Sequence, residues 1–214
     1  MRLSTLPILA CLAGAALCQA PPKPVDQRER WNKTLSSPNP VFNTEPNRFL
    51  AEAIKGRKPG KAVDIGLGQG RNSIYLAQQG WEVTGVDISD EGMRLARERA
   101  AKLGVKLHTV LQSADDYDFG RDQWDLIIGL FMHEIFSNQA ERVKAGLKPG
   151  GLVVVEAFHD DFSKTVNRQL GYKNNELLRA FDGLRIVHYE DRVGPADWNS
   201  GKDAPIVRFI ARKE

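Results

Sequence analysis

Residues 63–70 read Val63-Asp64-Ile65-Gly66-Leu67-Gly68-Gln69-Gly70, a short apolar run carrying an acid and then three glycines at alternate positions. A second acid, Asp87, closes the next apolar run twenty-one residues after Gly66. A strand that ends in a glycine turn and feeds a helix brings bare backbone amides close to a ligand. An acid at the tip of the following strand is placed to accept hydrogen bonds from the two hydroxyls of a ribose. Together these features predict a pocket for an adenosine-containing cofactor.

The spacing discriminates among such cofactors. The nicotinamide fingerprint G-x-G-x-x-G keeps its third glycine for close helix–strand packing. Here that position is Arg71, and the third glycine comes one residue early. No G-x-x-x-x-G-K-[ST] run occurs, which disfavours a nucleoside triphosphate. The D-x-G-x-G-x-G form instead resembles motif I of the class I S-adenosylmethionine-dependent methyltransferases. The stretch Gly68-Gln69-Gly70-Arg71-Asn72-Ser73-Ile74-Tyr75-Leu76-Ala77 is similar, more narrowly, to the tellurite-resistance-type small-molecule methyltransferases. That family commonly has a cysteine between the first two glycines; Leu67 stands there in this chain.

The resemblance implies S-adenosyl-L-methionine as cofactor and a small-molecule methyl acceptor. It implies cofactor contacts from Asp64, Gly66, Gly68, Gly70, Asp87, Ile88 and Asp115, with Asp116 close behind Asp115 as the acid meeting the adenine amino group. Each position also has a plainer reading. The glycines can form a tight turn without a ligand, Asp64 can be a buried carboxylate holding nearby amides, and Asp87 or Ser89 can cap the next helix. Arg71 and Asn72 open the helix after the glycine turn, where substrate contact and a structural role are both open. Gly129-Leu130-Phe131-Met132-His133-Glu134 follows the fourth strand, beside the expected methyl group. His133 is the candidate general base, since imidazole titrates near neutral pH; a structural histidine is the alternative. No Asn/Asp-Pro-Pro-Tyr and no H-E-x-x-H is present, the fourth residue after His133 being Ser137. His159-Asp160-Asp161 reads as a polar loop more than as a substrate or metal contact, and no metal site is expected.

These residues need a scaffold that brings strand ends together. Strands read at 61–65, 82–87, 105–111, 124–130 and 151–157, and helices at 70–79, 90–103, 137–146 and 174–181. Alternation of this kind predicts an α/β fold with a parallel sheet and helices on both faces. Two late β-rich runs, 184–189 and 206–211, lack an intervening helix and predict an antiparallel hairpin edge. The resemblance makes this a Rossmann-like doubly wound, mostly parallel seven-stranded sheet covering 44–214. A helix is expected to start at Thr44-Glu45-Pro46, with Thr44 as its cap. Residues 21–43 read as a proline-containing, partly ordered arm.

The first twenty residues differ from the rest. Arg2, the apolar stretch Leu6 to Leu17 and the small residues before Pro21 have the form of a secretory signal. They predict export to the periplasm or beyond the cell; a misassigned start codon would leave the domain cytoplasmic instead. Both cysteines, Cys11 and Cys18, fall in this leader, so the remaining chain has none for disulfides, nucleophilic catalysis or thiolate metal sites. With 214 residues, 42% of them hydrophobic, the chain suffices for one core and shows no second domain. The net charge of +3, spread among acids, gives no footprint for nucleic acid. Two rival readings remain: a nicotinamide-dependent oxidoreductase, and a binding module that keeps the fold without catalysis.

Overall fold

The computed structural model describes residues 26–37, 43–132, 134–166, 169–199 and 201–214. The leader over 1–20 lies outside the described residues, as does His133. The elements run α1 (Gln27–Leu35), α2 (Arg48–Ile54), β1 (Lys61–Ile65), α3 (Arg71–Gln78), β2 (Glu82–Asp87), α4 (Asp90–Lys102), β3 (His108–Leu111) and β4 (Trp124–Leu130). They continue through α5 (Ile135–Asn138), α6 (Ala140–Gly146), β5 (Leu147–Phe158), α7 (Ser163–Val166), α8 (Glu176–Ala180), β6 (Arg185–Pro195) and β7 (Asp203–Arg212). Among the described residues no helix is long and apolar enough to cross a membrane.

The strands form one seven-stranded sheet in the order β3-β2-β1-β4-β5-β7-β6. Strands β1 to β5 are parallel, while β7 inserts antiparallel between β5 and β6. Side-chain alternation explains the two cores. Val63, Ile65, Ile127, Val153 and Val155 face Phe136, Val143, Leu177 and Phe181 on one side. Ala62, Leu126, Ile128, Leu152 and Val154 face Leu50, Ile54 and Leu76 on the other. A sheet covered on both faces needs apolar residues at successive positions, as β4 and β5 show. The expected fold is therefore the observed one.

Several boundaries differ, each for a local reason. β3 starts at His108 instead of 105, because the Gly104 and Val105 amides return to the Ala101 and Ala100 carbonyls of α4. That is the closing geometry of a helix ending at a left-handed glycine. The helix expected over 137–146 starts earlier and breaks at Gln139, whose Nε2 donates to the Ala114 carbonyl at 2.9 Å. The helix expected from Thr44 starts instead after Asn47, whose Oδ1 accepts from Leu50 N at 2.9 Å. Part of the arm, expected to be partly ordered, is helix α1, capped by Asp26.

Asn47 is fully buried, and its own amide donates to Asn72 Oδ1 at 2.9 Å. Asn47→Ala keeps that backbone bond but removes the cap and the side-chain amide that donates to Glu156 Oε2 at 3.3 Å, so it should cost about 1–2 kcal/mol in urea unfolding. Thr44→Ala should change stability by less than about 0.5 kcal/mol.

Candidate functional site

The carboxyl ends of β1 to β5 open onto one cavity of about 490 Å³. It sits where the strand order reverses, between β1 and β4, the place at which open α/β sheets bind ligands. Its walls include Gly66 and Gly68 after β1, Asp87 and Ile88 after β2, Ser113–Asp115 after β3, Phe131 and Met132 after β4, and Phe158 closing β5.

The glycine turn has a steric requirement. Gly66 has φ +79°, and a Cβ there would strike Met132 Sδ. Gly70 has φ +80°, and a Cβ would come within 2.8 Å of Ala96 Cβ on α4. Side chains at either position would spoil both the left-handed backbone and the packing.

Asp87 holds the turn. Its Oδ2 accepts from Gly68 N at 2.7 Å and its Oδ1 from Ser89 N at 2.8 Å. Burial pushes its carboxyl above the usual range, while the backbone amides of Gly68, Ser89 and Ile88 pull it back down. These amides use only part of a carboxylate's roughly four acceptor positions. The cap of α4 is Ser89, whose Oγ accepts from Gly92 N at 3.0 Å, so Asp87 is not spent on that task.

The other candidates fall at different depths. Ile88 and Asp115 line the cavity. Asp116 does not, and its amide closes the turn onto the Ser113 carbonyl at 3.1 Å. Asp64 lies one layer beneath the wall, 2% exposed, and accepts from Ser73 Oγ at 2.7 Å. Burial raises its carboxyl to about 6, against the pull of Ser73. Arg71 and Asn72 both reach the cavity, yet both are also ties. Arg71 pairs with Asp197 and donates to the Glu45 carbonyl at 3.0 Å, and Asn72 accepts from Asn47. His159 is buried, with Nε2 2.7 Å from Asn174 Oδ1 and Nδ1 accepting from Asp161 N at 3.1 Å. It caps the 3-10 turn Asp160–Phe162, which is a structural task. Among the described residues no group of three or more His, Cys, Asp or Glu is placed to hold a metal ion.

Two wall segments were not foreseen. Helix α1 supplies Gln27, Arg30, Trp31 and Leu35, and the turn between β6 and β7 supplies Asp197 and Trp198. Arg28 Nε and Nη2 donate to the Asp90 carboxylate at 2.7 and 2.5 Å, and Ser89 Oγ donates to Asn32 Oδ1 at 2.7 Å. The sequence carried a signal for α1: Asp26 three residues before Glu29, then Trp31 and Leu35 four apart on one face.

The tellurite resistance protein TehB family matches residues 42–205. The chain belongs to that family. A ubiquinone biosynthesis O-methyltransferase of Shewanella halifaxensis (strain HAW-EB4) is 32% identical over 154 residues, covering 69% of this chain and 62% of that relative. Among solved structures, TehB from Haemophilus influenzae aligns with a TM-score of 0.64 at 23% identity, covering 77% of this chain and 61% of that one. Haemonchus contortus phosphoethanolamine N-methyltransferase 2, in complex with S-adenosyl-L-methionine, gives 0.68 at 20%, covering 91% and 61%. The chain thus spans about six-tenths of the length of the first curated relatives. The fold is the Rossmann-like one of S-adenosylmethionine-dependent methyltransferases.

Asp64 links the family motif to stability. Its carboxyl is raised from 3.8 to about 6 on folding, so between those values the folded chain holds a proton that the unfolded chain has released. Its contribution to stability is complete below about pH 4 and is lost as pH rises through about 6. Asp64→Asn should therefore reduce the fall in stability across that window in urea unfolding, leaving a remainder of the same sign from Asp87 and Glu156.

Proposed function

We propose that this protein is an S-adenosyl-L-methionine-dependent methyltransferase that transfers a methyl group to a small-molecule acceptor by in-line displacement. The observation that carries the reading is Asp87: a cavity-lining carboxylate at a strand end, holding the Gly68 amide and keeping acceptor capacity. Family membership and the names of the relatives support it.

The residues present fit the cofactor. Asp87 offers free lone pairs to a ribose diol, Ile88 an apolar surface to a purine, and Asp115 an acceptor to an exocyclic amine. The bare backbone at Gly66 and Gly68 permits close approach. When bound, S-adenosylmethionine supplies a methyl group already activated by its positively charged sulfur. The protein's work is then to orient the acceptor and exclude water. Such positioning is worth about 7–11 kcal/mol in well-aligned reactions. Phe131 and Met132 at the end of β4, with Phe158 at the end of β5, form the wall at the far end from Asp115. His133, next in sequence, is the residue we assign as base for an acceptor that must lose a proton; a thiolate acceptor needs none. The leader sequence is the ground for proposing that the protein acts outside the cytoplasm.

Calorimetric titration with S-adenosylhomocysteine tests the reading. Wild type should bind, and Asp87→Ala should bind at least about tenfold more weakly, since it loses a charge-assisted hydrogen bond to the ribose and also the anchor of the Gly68 amide. A folded wild type that binds neither S-adenosylhomocysteine nor S-adenosylmethionine would overturn it.

A further inference from the structure

The cavity runs from a nucleoside end at Asp87 and Asp115 to an aromatic end at Trp31, Phe131, Phe158 and Trp198. Met132, also in its wall, closes over the first glycine of the turn: its Sδ stands where a Cβ on Gly66 would go. The chain leaving β4 takes an unusual course to put it there. Phe131 has φ +62° and Glu134 φ +65°, left-handed values that residues other than glycine seldom adopt unless their surroundings hold them.

Two hydrogen bonds hold this segment. The Phe131 amide donates to the Glu156 carbonyl of β5 at 2.6 Å, and the Met132 carbonyl accepts from Tyr172 Oη at 2.9 Å. Burial pushes the Tyr172 phenol up, so it stays protonated and donates, while the Phe136 amide of α5 also faces its oxygen. Tyr172 is itself clamped. It is fully buried, its amide donates to the Phe158 carbonyl at 3.0 Å, and its carbonyl accepts from Asp160 N at 2.9 Å. Gly171 before it has φ +104° and lies so close to the Phe158 carbonyl that no Cβ fits. A phenylalanine would fill the same core space beside Phe136 and Leu177. What the tyrosine adds is one hydroxyl, spent on the backbone of a cavity wall.

With the ribose at Asp87 and the adenine by Ile88 and Asp115, Gly66 and Met132 are left as the wall for the amino-acid half of the cofactor. Resting on the methyltransferase reading, we propose that Met132 contacts that half, and that Tyr172 is the positioning residue that sets Met132 through its carbonyl. The hydroxyl thus acts on one part of the ligand and leaves the nucleoside part untouched.

Calorimetry on the full chain tests this with S-adenosylhomocysteine and with 5′-methylthioadenosine, which keeps the nucleoside and the sulfur but lacks the amino-acid tail; the weaker ligand is read by competition. Tyr172→Phe should weaken S-adenosylhomocysteine about tenfold and leave 5′-methylthioadenosine within about twofold. Met132→Ala keeps the phenol and its carbonyl partner and should show the same selectivity. Adding Tyr172→Phe to Met132→Ala should weaken S-adenosylhomocysteine little further, because both changes act through one side chain. Near-UV circular dichroism checks the fold of each variant. Equal weakening of both ligands, no weakening of S-adenosylhomocysteine by Tyr172→Phe, or fully additive effects in the double variant would overturn the assignment and leave the cofactor site standing. Should Tyr172→Phe fail to fold, Met132→Ala carries the test alone, and an unchanged ratio of the two affinities overturns the contact. A folded wild type that binds neither ligand would instead remove the methyltransferase reading, and this inference with it.

Discussion

The 2.7 Å hydrogen bond from the Gly68 amide to Asp87 Oδ2 fixes the geometry on which the rest of the site depends. It joins the turn after β1 to the end of β2, two segments that the sheet already pairs through Ile65 and Val86. The Gly66 and Leu67 amides both donate to the Val86 carbonyl, at 2.9 and 3.1 Å, so three successive amides of the turn are anchored on one strand end. The cost is a carboxylate held largely away from water. Its charge is tolerated because the amides around it compensate for the lost solvent. A turn fixed in this way presents its glycine backbone to the cavity.

The second constraint comes from the far end of the chain. Because β7 inserts between β5 and β6, the turn joining the last two strands is brought over the carboxyl ends of the parallel strands. An ionic and amide network then ties that hairpin to the first half of the fold. Arg208 donates to Glu156, Glu190 and the Pro195 carbonyl; Asn47 reaches Glu156 at 3.3 Å and Asp197 at 3.4 Å; and Arg71 closes on Asp197. Glu156 is fully buried, and burial raises its carboxyl against the pull of Arg208 and Asn47. Breaking one side of such a network leaves a buried charge uncompensated, which is why its members act as a unit. Through it, α2, α3, β5 and the terminal hairpin share one arrangement at the aromatic end of the cavity.

The sheet was legible in the sequence because parallel strands buried on both faces are written as near-continuous apolar runs, and 124–130 and 151–157 are such runs. The glycine turn and Asp87 were legible because few residue types meet their steric and electrostatic demands. What stayed hidden was assembled from distance. Nothing near Trp198 announces that it meets Trp31, since their contact depends on hairpin insertion and on α1 folding back over α4. Asn47 outcompeted Thr44 as a helix cap because burial gave its amide and side chain partners in Asn72, Glu156 and Asp197, none of them local. Asp64 was read from the motif as a cofactor contact or a buried structural acid; its position beneath the wall, on Ser73, required the depth coordinate that a linear pattern lacks.

Helix α1 shows how the aromatic end and the nucleoside end are joined. Its ion pair, Arg28 with Asp90, is about half exposed on both sides, so solvent screens it and it contributes orientation more than holding strength. The firmer attachment is apolar and steric. Leu35 is buried, and its Cδ1 lies 2.8 Å from where a Cβ on Gly92 would stand; Gly92 in turn abuts the Gly68 carbonyl. A side chain at that one position would therefore push on α1 and on the glycine turn together. One turn earlier on the same helix, Trp31 meets Trp198. The chain's first described helix thus rests on the segment that shapes the cofactor turn while its indole reaches the hairpin that closes the other end. A single short element spans both halves of the cavity, and its bare-glycine contact is the reason it can lie close enough to do so.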